Sequence, residues 1–233
     1  MSKKEIEQKQ DEVILDVGTT LTKAEAFIEK NKKAITYALS GLLVGVAAYF
    51  AFTYLYLDPL EKEAQIELYK AQENIDRDSL RLALNGDGSS MGLLEIADEY
   101  AWTKAGNLAR YYAGVCYLQL GEYEEAIRQM DKFSTNDPVF EVLANGVIAD
   151  AFLEIGQPNE ALEYYDKAVH ASNNEFVVPF YLKKAGMLAE DQKKWKDARK
   201  YFERLKNEFP KSQHALDADK FLARIEAKQS QKN

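Results

Sequence analysis

The sequence predicts an all-α protein: a single N-terminal transmembrane helix followed by an α-solenoid of paired helices. Three observations predict it. Residues 34–57 run for 24 positions without a charge. Beyond them, small residues recur at Ala126, Ala161 and Ala198, at intervals of 35 and then 37 residues. Strand-like alternation is rare there, and Gly or Pro falls mainly at the breaks between helical segments.

The apolar run is long enough for a membrane. At 1.5 Å per residue it makes a helix of roughly 36 Å, against a hydrocarbon layer of about 30 Å. It therefore spans with some tilt or with its ends in the interfaces. A secretory signal has an apolar core of about 7–15 residues. Val46-Ala47-Ala48 fits a cleavage pattern but lies in the middle of the run. The single cysteine, Cys116, is too distant for a lipid-modified anchor.

Lys30, Lys32 and Lys33 precede the run, whereas Asp58, Glu61 and Glu63 outweigh Lys62 after it. Lysines are retained on the cytoplasmic side, which places residues 1–33 inside as a cytoplasmic arm and residues 58–233 outside. In a Gram-negative bacterium this is a single-pass inner (cytoplasmic) membrane protein with a periplasmic domain. Tyr49, Phe50, Phe52, Tyr54 and Tyr56 crowd the exit end, as aromatic side chains do at an interface. Gly41 and Gly45 form a G-x-x-x-G, a candidate packing face for another helix in lipid. In the arm, Ile6, Val13, Val17, Leu21, Ala24 and Ile28 follow helical spacing, interrupted at Gly18-Thr19-Thr20. That pattern suits docking to a partner or to membrane lipid, and equally a disordered arm.

Charge and chemistry exclude several functions. The first 57 residues balance seven lysines against seven acids, so the remainder carries the whole net charge of −8, with 23 basic and 31 acidic residues. An acidic surface repels phosphate backbones, so no nucleic-acid partner is expected. One cysteine allows no internal disulfide, and Cys116 sits among Tyr112, Val115 and Leu118 as a buried small hydrophobe. His170 and His214 lie far apart without a metal-ligand motif, and the Asn85–Ser90 loop lacks the spacing of a calcium site. No nucleophile elbow, phosphate-binding loop or dinucleotide fingerprint occurs. The sequence therefore predicts no enzyme, no cofactor and no metal.

The repeat has internal order. Gly114, Ala149 and Gly186 each precede a second small residue, Ala126, Ala161 and Ala198, by 12 positions. Met130, Tyr165 and Phe202 follow four later, and Phe133, Ala168 and Leu205 three after that. Two antiparallel helices approach closely only where side chains are small, so each Gly/Ala pair marks a crossing within one unit. Gly121 and Gly156 stand where the first helix of a unit should end in the conformation glycine adopts at least cost. One such pair cannot bury its apolar face alone, so units stack.

This pattern resembles the tetratricopeptide repeat, a 34-residue helix–turn–helix unit. Three units match in register over residues 107–212, with Pro138 and Pro210 closing the first and third. Departures are local: Arg110 where tryptophan is common, Ala189 for an aromatic, no closing proline in the second unit, and Trp195 near a turn position. Residues 58–106 then form a connecting helix, Pro59–Leu84, and a degenerate leading unit in which Ser90 caps a short helix through Tyr100. Residues 213–233 form a capping helix, Ala215–Ala227, and a tail.

The resemblance implies a partner-binding groove lined by four positions of each first helix. These are Leu108, Tyr111, Val115 and Leu118, then Leu143, Gly146, Asp150 and Leu153, then Phe180, Lys183, Met187 and Glu190. The candidate contacts are Leu108, Tyr111, Val115, Leu118, Asp150, Leu153 and Met187, with Glu190 on the rim. The alternative is that some of these side chains pack under a neighbouring helix.

The order of a short arm ending FIEKNKK, one span and acidic repeats is similar to the YfgM family, the ancillary subunit of the SecYEG translocon. That resemblance implies a membrane-anchored periplasmic adaptor or chaperone. Its implied partners are SecYEG, a membrane-anchored periplasmic chaperone of the prolyl isomerase type, and emerging client polypeptides. The arm is longer than that family leads one to expect. Two rival readings are a cell-envelope assembly or cell-division scaffold built on the same repeats, and an enzyme or enzyme-regulatory subunit.

Overall fold

The structure is a computed structural model that describes residue 25 and residues 27–230. Of the arm positions with helical spacing, only Ile28 falls among them; Ile6, Val13, Val17, Leu21 and Ala24 lie outside the described residues. The chain divides into two units, Met1–Asp58 and Pro59–Asn233. No strand occurs among the described residues; a lone bridge joins Gly86 to Met91.

In the first unit, α1 spans Lys32–Phe52, and a wider helical turn follows at Thr53–Leu57. None of its residues is buried. Leu42, Leu43 and Val44 are each about two-thirds exposed, so no side of the helix is covered by the described chain.

The second unit is built of helices in antiparallel succession. The leading segment comprises α2 (Asp58–Asp76), α3 (Leu80–Asn85) and α4 (Leu93–Glu99). The helix expected from Pro59 to Leu84 is broken at residues 77–79, where Asp78 has φ of 57°. The turn allows Leu80, Ala83 and Leu84 to join Leu68 and Ala71 of α2 in one core with Leu93 and Ile96. A second difference concerns α4, which begins after Gly92 without a side-chain cap. The Ser90 hydroxyl instead bonds Asp87, whose Oδ1 accepts from Ser89 and Ser90. Those bonds hold the Asp87 carboxyl far below the usual range.

Three helix pairs follow: α5 (Lys104–Gln119) with α6 (Tyr123–Lys132), α7 (Pro138–Glu154) with α8 (Pro158–Ala171), and α9 (Val178–Asp191) with α10 (Trp195–Glu208). Thr103 caps α5, accepting from Gly106 N at 2.9 Å, so the first pair starts three residues before the expected boundary at 107. Asp137 caps α7 ahead of Pro138, where a missing N–H costs nothing. A single helical turn at Gln213–Ala215 and then α11 (Ala218–Ser230) close the solenoid, in place of one helix from Ala215.

The small residues mark the crossings. A Cβ added at Gly114 would lie 2.8 Å from the Met130 methyl carbon and 3.2 Å from the Ala126 carbonyl oxygen. One added at Gly186 would meet the Phe202 ring at 2.7 Å. Ala149 and Ala161 are fully buried in the same cluster. The large residue four positions after the second small one thus fills the space over the first.

Polar bonds between units repeat the period. Lys184 binds Asp150 (2.7 Å) and Gln192 donates to Pro158 O (2.6 Å), both across 34 residues. Tyr201 donates to Asp166 and Arg204 to Val169 O, each at 2.8 Å and across 35 residues. Arg224 of α11 reaches Glu190 across 34, so the capping helix stands where the leading helix of a fourth unit would.

Each leading helix ends with the same pair of backbone bonds. Gly121 N donates to Leu118 O and Glu122 N to Tyr117 O; Gly156 and Gln157 repeat this in the second pair. Both glycines have φ near 75°. In the third pair Lys193 takes that place at φ 59°, where a side chain crowds the backbone. Lys193→Gly should therefore raise stability by about 0.5–1 kcal/mol, the relief of left-handed strain less the added freedom of the unfolded chain. Gly121→Ala should lower it by a similar amount; urea unfolding midpoints of the two variants check the opposite signs.

Candidate partner-binding groove

The leading helices α5, α7 and α9 place their last turns side by side, because each ends at the same structural position of its unit. Between them lies a cavity of about 510 Å³. Its apolar lining includes Leu118 from α5, Leu153 from α7, and Met187 and Leu188 from α9. Leu153 is 38% exposed and Met187 47%, whereas Leu118 is half-buried and also packs into the core. Asp150, Glu154, Asp191 and Lys184 supply the charge, and Tyr123 and Tyr165 the aromatic walls.

Four of the seven predicted contacts, Leu118, Asp150, Leu153 and Met187, are thus brought together. The other three are not. Tyr111 packs its ring against Phe133 and Phe140, with centroids 5.5 and 5.2 Å away. Val115 joins it in a cluster with Met130, Ala144, Val147 and Ile148 at the junction of the first two units. Leu108 packs against the core of the leading segment. These side chains serve stacking, because the second unit leans directly on that part of α5. Gly146 is likewise covered, by the Tyr181 ring of the third unit, which would collide with any Cβ there.

Glu190 departs furthest from its expected place on the rim. It is buried, 6% exposed, under α11. Its carboxylate accepts from Arg224 Nη2 at 2.5 Å and Lys228 Nζ at 3.0 Å. Burial alone would raise its pKa, but the two hydrogen bonds and the two positive charges outweigh it and hold the carboxyl below its ordinary range. Glu190 is therefore not part of the groove, which α9 lines with Lys184, Met187, Leu188 and Asp191.

Asp150 is also no free rim charge. Both its oxygens accept from Lys184 Nζ at 2.7 Å, and Oδ1 accepts from the Tyr165 hydroxyl as well. Burial and the adjacent carboxylate push the Tyr165 phenol well above its usual range, so it is a fixed donor. Lys184 lies 4.8 Å from the Phe180 ring centroid, which adds a cation–π contact. Composition did not single out Lys184 or Tyr165. The signal was available in the period, since Lys184 stands 34 residues after Asp150.

The remaining sequence candidates are placed as follows. Gly41 and Gly45 share one side of α1, with nothing within 4 Å of an added Cβ at either. Cys116 is fully buried, and desolvation pushes its thiol up to about 11. His170 is exposed, and no group of three or more metal-ligating side chains occurs among the described residues.

Comparison with known proteins agrees with this architecture. The sequence pattern of the tetratricopeptide repeat family matches residues 108–138 and 181–212, the first and third helix pairs. A solved structure of nearly identical TPR-like repeats from a putative kinesin light chain of Podosopora anserina superimposes with a TM-score of 0.55 at 13% identity. It covers 73% of this chain and 88% of its own. A MamA RS-1 double mutant has a TM-score of 0.50 at 17% identity, covering 73% of this chain and 98% of its own. At these identities the likeness is one of fold. No curated protein sequence matches the chain. The described residues after the apolar run form an all-helical solenoid, and two of its three helix pairs carry the tetratricopeptide-repeat pattern.

The Glu190 cluster gives a pH-dependent prediction. A carboxyl whose folded pKa is depressed contributes stability above its ordinary value of 4.5 and loses it as pH falls through the folded value. Arg224→Ala should cost about 1–3 kcal/mol at pH 7, by loss of a charge-assisted bond to a buried acceptor. The difference from the unmodified protein should shrink steadily below pH 4.5 as Glu190 protonates in both; urea titrations at pH 7 and at successively lower pH measure it.

Proposed function

We propose that this protein is a membrane-anchored adaptor or chaperone that holds an apolar segment of a protein partner in the groove between its leading helices. The observation that carries this reading is the alignment of Leu118, Leu153 and Met187 in one cavity of about 510 Å³, walled by Tyr123 and Tyr165. Apolar side chains from three successive leading helices that meet in one cavity suit an extended or helical segment better than a small molecule. The groove acts by binding and not by catalysis.

The anchor in this proposal is the run 34–57, most of it in α1, supported by its length, its lack of charge and the absence of buried residues in α1. Lysines before it and acids after it support a cytoplasmic arm and a periplasmic solenoid in the inner membrane. The YfgM-like order of arm, span and acidic repeats supports association with SecYEG, with a membrane-anchored prolyl isomerase-type chaperone, and with emerging clients. Gly41 and Gly45, open on one side of α1, are where a partner helix would approach in lipid.

Three experiments test these readings. An alkaline phosphatase fusion after Asn233 should be active, and detergent extraction should co-purify translocon subunits; an inactive fusion removes the orientation and the translocon role together. Replacing both Gly41 and Gly45 by leucine should weaken that association without changing insertion.

The groove is tested by contrast. Leu153→Ser with Met187→Ser should abolish capture of apolar peptides while shifting the thermal midpoint by only a few degrees, since both side chains are exposed. Leu118→Ser should cost about 1–3 kcal/mol, because that side chain is also core. Peptide binding that survives the Leu153/Met187 pair puts the partner site elsewhere.

A further inference from the structure

A second cavity, of about 710 Å³, opens beside the first repeat, and its chemistry is the reverse of the domain's. Residues 58–233 carry a net −8, yet this lining presents Lys104, Arg110 and Lys132 against a single carboxylate, Asp98. Arg110 is engaged: Nη2 donates to Ala97 O at 2.8 Å and faces Asp98 at 3.7 Å. Lys104 and Lys132 are exposed, and neither pairs with a carboxylate among the described residues. The opposite wall is held rigid by Asn107, whose side chain donates to Ser134 O (2.7 Å) and accepts from Ser134 N (3.1 Å). Trp102 also lines the cavity and is 80% exposed, an unusual state for an indole in a folded domain.

The position of this cavity in the chain is informative. Glu61 Oε2 accepts from Lys104 N at 2.6 Å and from Ala105 N at 3.4 Å, which fastens α2 to the cavity wall. Glu61 follows the end of the uncharged run, Leu57, by four residues. Four residues of chain reach at most ~14 Å. The phosphate-bearing layer of a bilayer occupies roughly 5–8 Å outside the hydrocarbon. Covalent reach alone therefore holds the Glu61 backbone within ~14 Å of the end of the run, and an indole beside unpaired lysines is the side-chain set that an anionic interface favours.

We propose that this cavity binds the phosphate headgroups of anionic lipids in the leaflet from which the domain emerges. Lys104 and Lys132 receive the phosphate charge, Ser134 offers a hydroxyl, and Trp102 lies at the interface. An acidic domain is otherwise repelled by an anionic leaflet, so this patch sets which side of the solenoid faces the membrane. The inference rests on the reading of α1 as a membrane span.

The test uses the full chain with Trp195→Phe, which leaves Trp102 as its one indole. It is reconstituted into nanodiscs of phosphatidylglycerol or phosphatidylcholine, brominated high on the acyl chains. Trp102 emission should be quenched and blue-shifted in phosphatidylglycerol and several-fold less in phosphatidylcholine. Each lysine near an anionic surface contributes about fivefold in affinity, so Lys104→Gln with Lys132→Gln should bring quenching down to the phosphatidylcholine level.

Equal quenching in both lipids, or none in a chain that has inserted, overturns the headgroup site alone. An emission change driven by inorganic phosphate in phosphatidylcholine discs assigns the cavity to soluble phosphate and overturns the lipid source. A chain that does not co-elute with the discs overturns the anchor, and the headgroup site falls with it. Quenching in phosphatidylglycerol discs that falls to the phosphatidylcholine level in the double variant is the supporting result.

Discussion

Close approach of paired helices at a small residue is the contact on which the rest of the solenoid depends. Gly114 and Gly186 leave room for the Met130 side chain and the Phe202 ring, and any Cβ there would stand under 3 Å from them. Because the space is made by one helix and filled by the other, each pair has a single register. That register fixes which side of the leading helix turns inward. It also fixes which side remains for the next unit and for solvent. The Ala149–Ala161 pair does the same with two methyl groups, and Tyr165 fills the adjoining space at 1% exposure.

Stacking of one pair on the next uses a different chemistry. Apolar contact is supplemented by hydrogen bonds across 34 or 35 residues, from Lys184 to Asp150, Tyr201 to Asp166 and Arg204 to Val169 O. The same spacing links Arg224 to Glu190, and this explains how the array stops. A fourth leading helix is replaced by α11, whose basic residues satisfy the acid that the third unit would otherwise leave buried and unpaired. A buried carboxylate without partners would be costly, so the cap and Glu190 require one another.

The same stacking determines where binding surface is left. Along the middle of α5 the second unit covers Tyr111 and Val115, and at the far end of the solenoid α11 covers Glu190. Between these closures Leu153 and Met187 stay exposed beside Leu118. The salt bridge of Lys184 with Asp150 crosses the floor between α7 and α9, so the apolar strip is framed by a fixed polar contact. At the other edge of the first repeat, Glu61 ties the segment that follows the apolar run to the N-terminus of α5. Two surfaces of opposite character thus flank one helix pair.

The sequence by itself determined the all-helical class, the three-unit period, the crossing residues and the glycine ends at Gly121 and Gly156. These follow from local rules: helical periodicity, the size of a side chain at a contact, and the φ values open to glycine. It also sufficed to mark the uncharged run and to set aside Cys116 as a reactive thiol. It did not separate groove from stacking interface, since Tyr111, Val115 and Leu118 lie on one helix face and are alike in hydrophobicity. Only the tertiary structure decided that Tyr111 meets Phe133 and Phe140 while Leu118 borders a cavity, because the outcome depends on how far the next unit leans over each turn. The break at Asp78, the burial of Glu190 and the gathering of Lys104, Arg110 and Lys132 were decided there too. The last two depend on partners 13 to 43 residues away, whose distance in space no local pattern encodes.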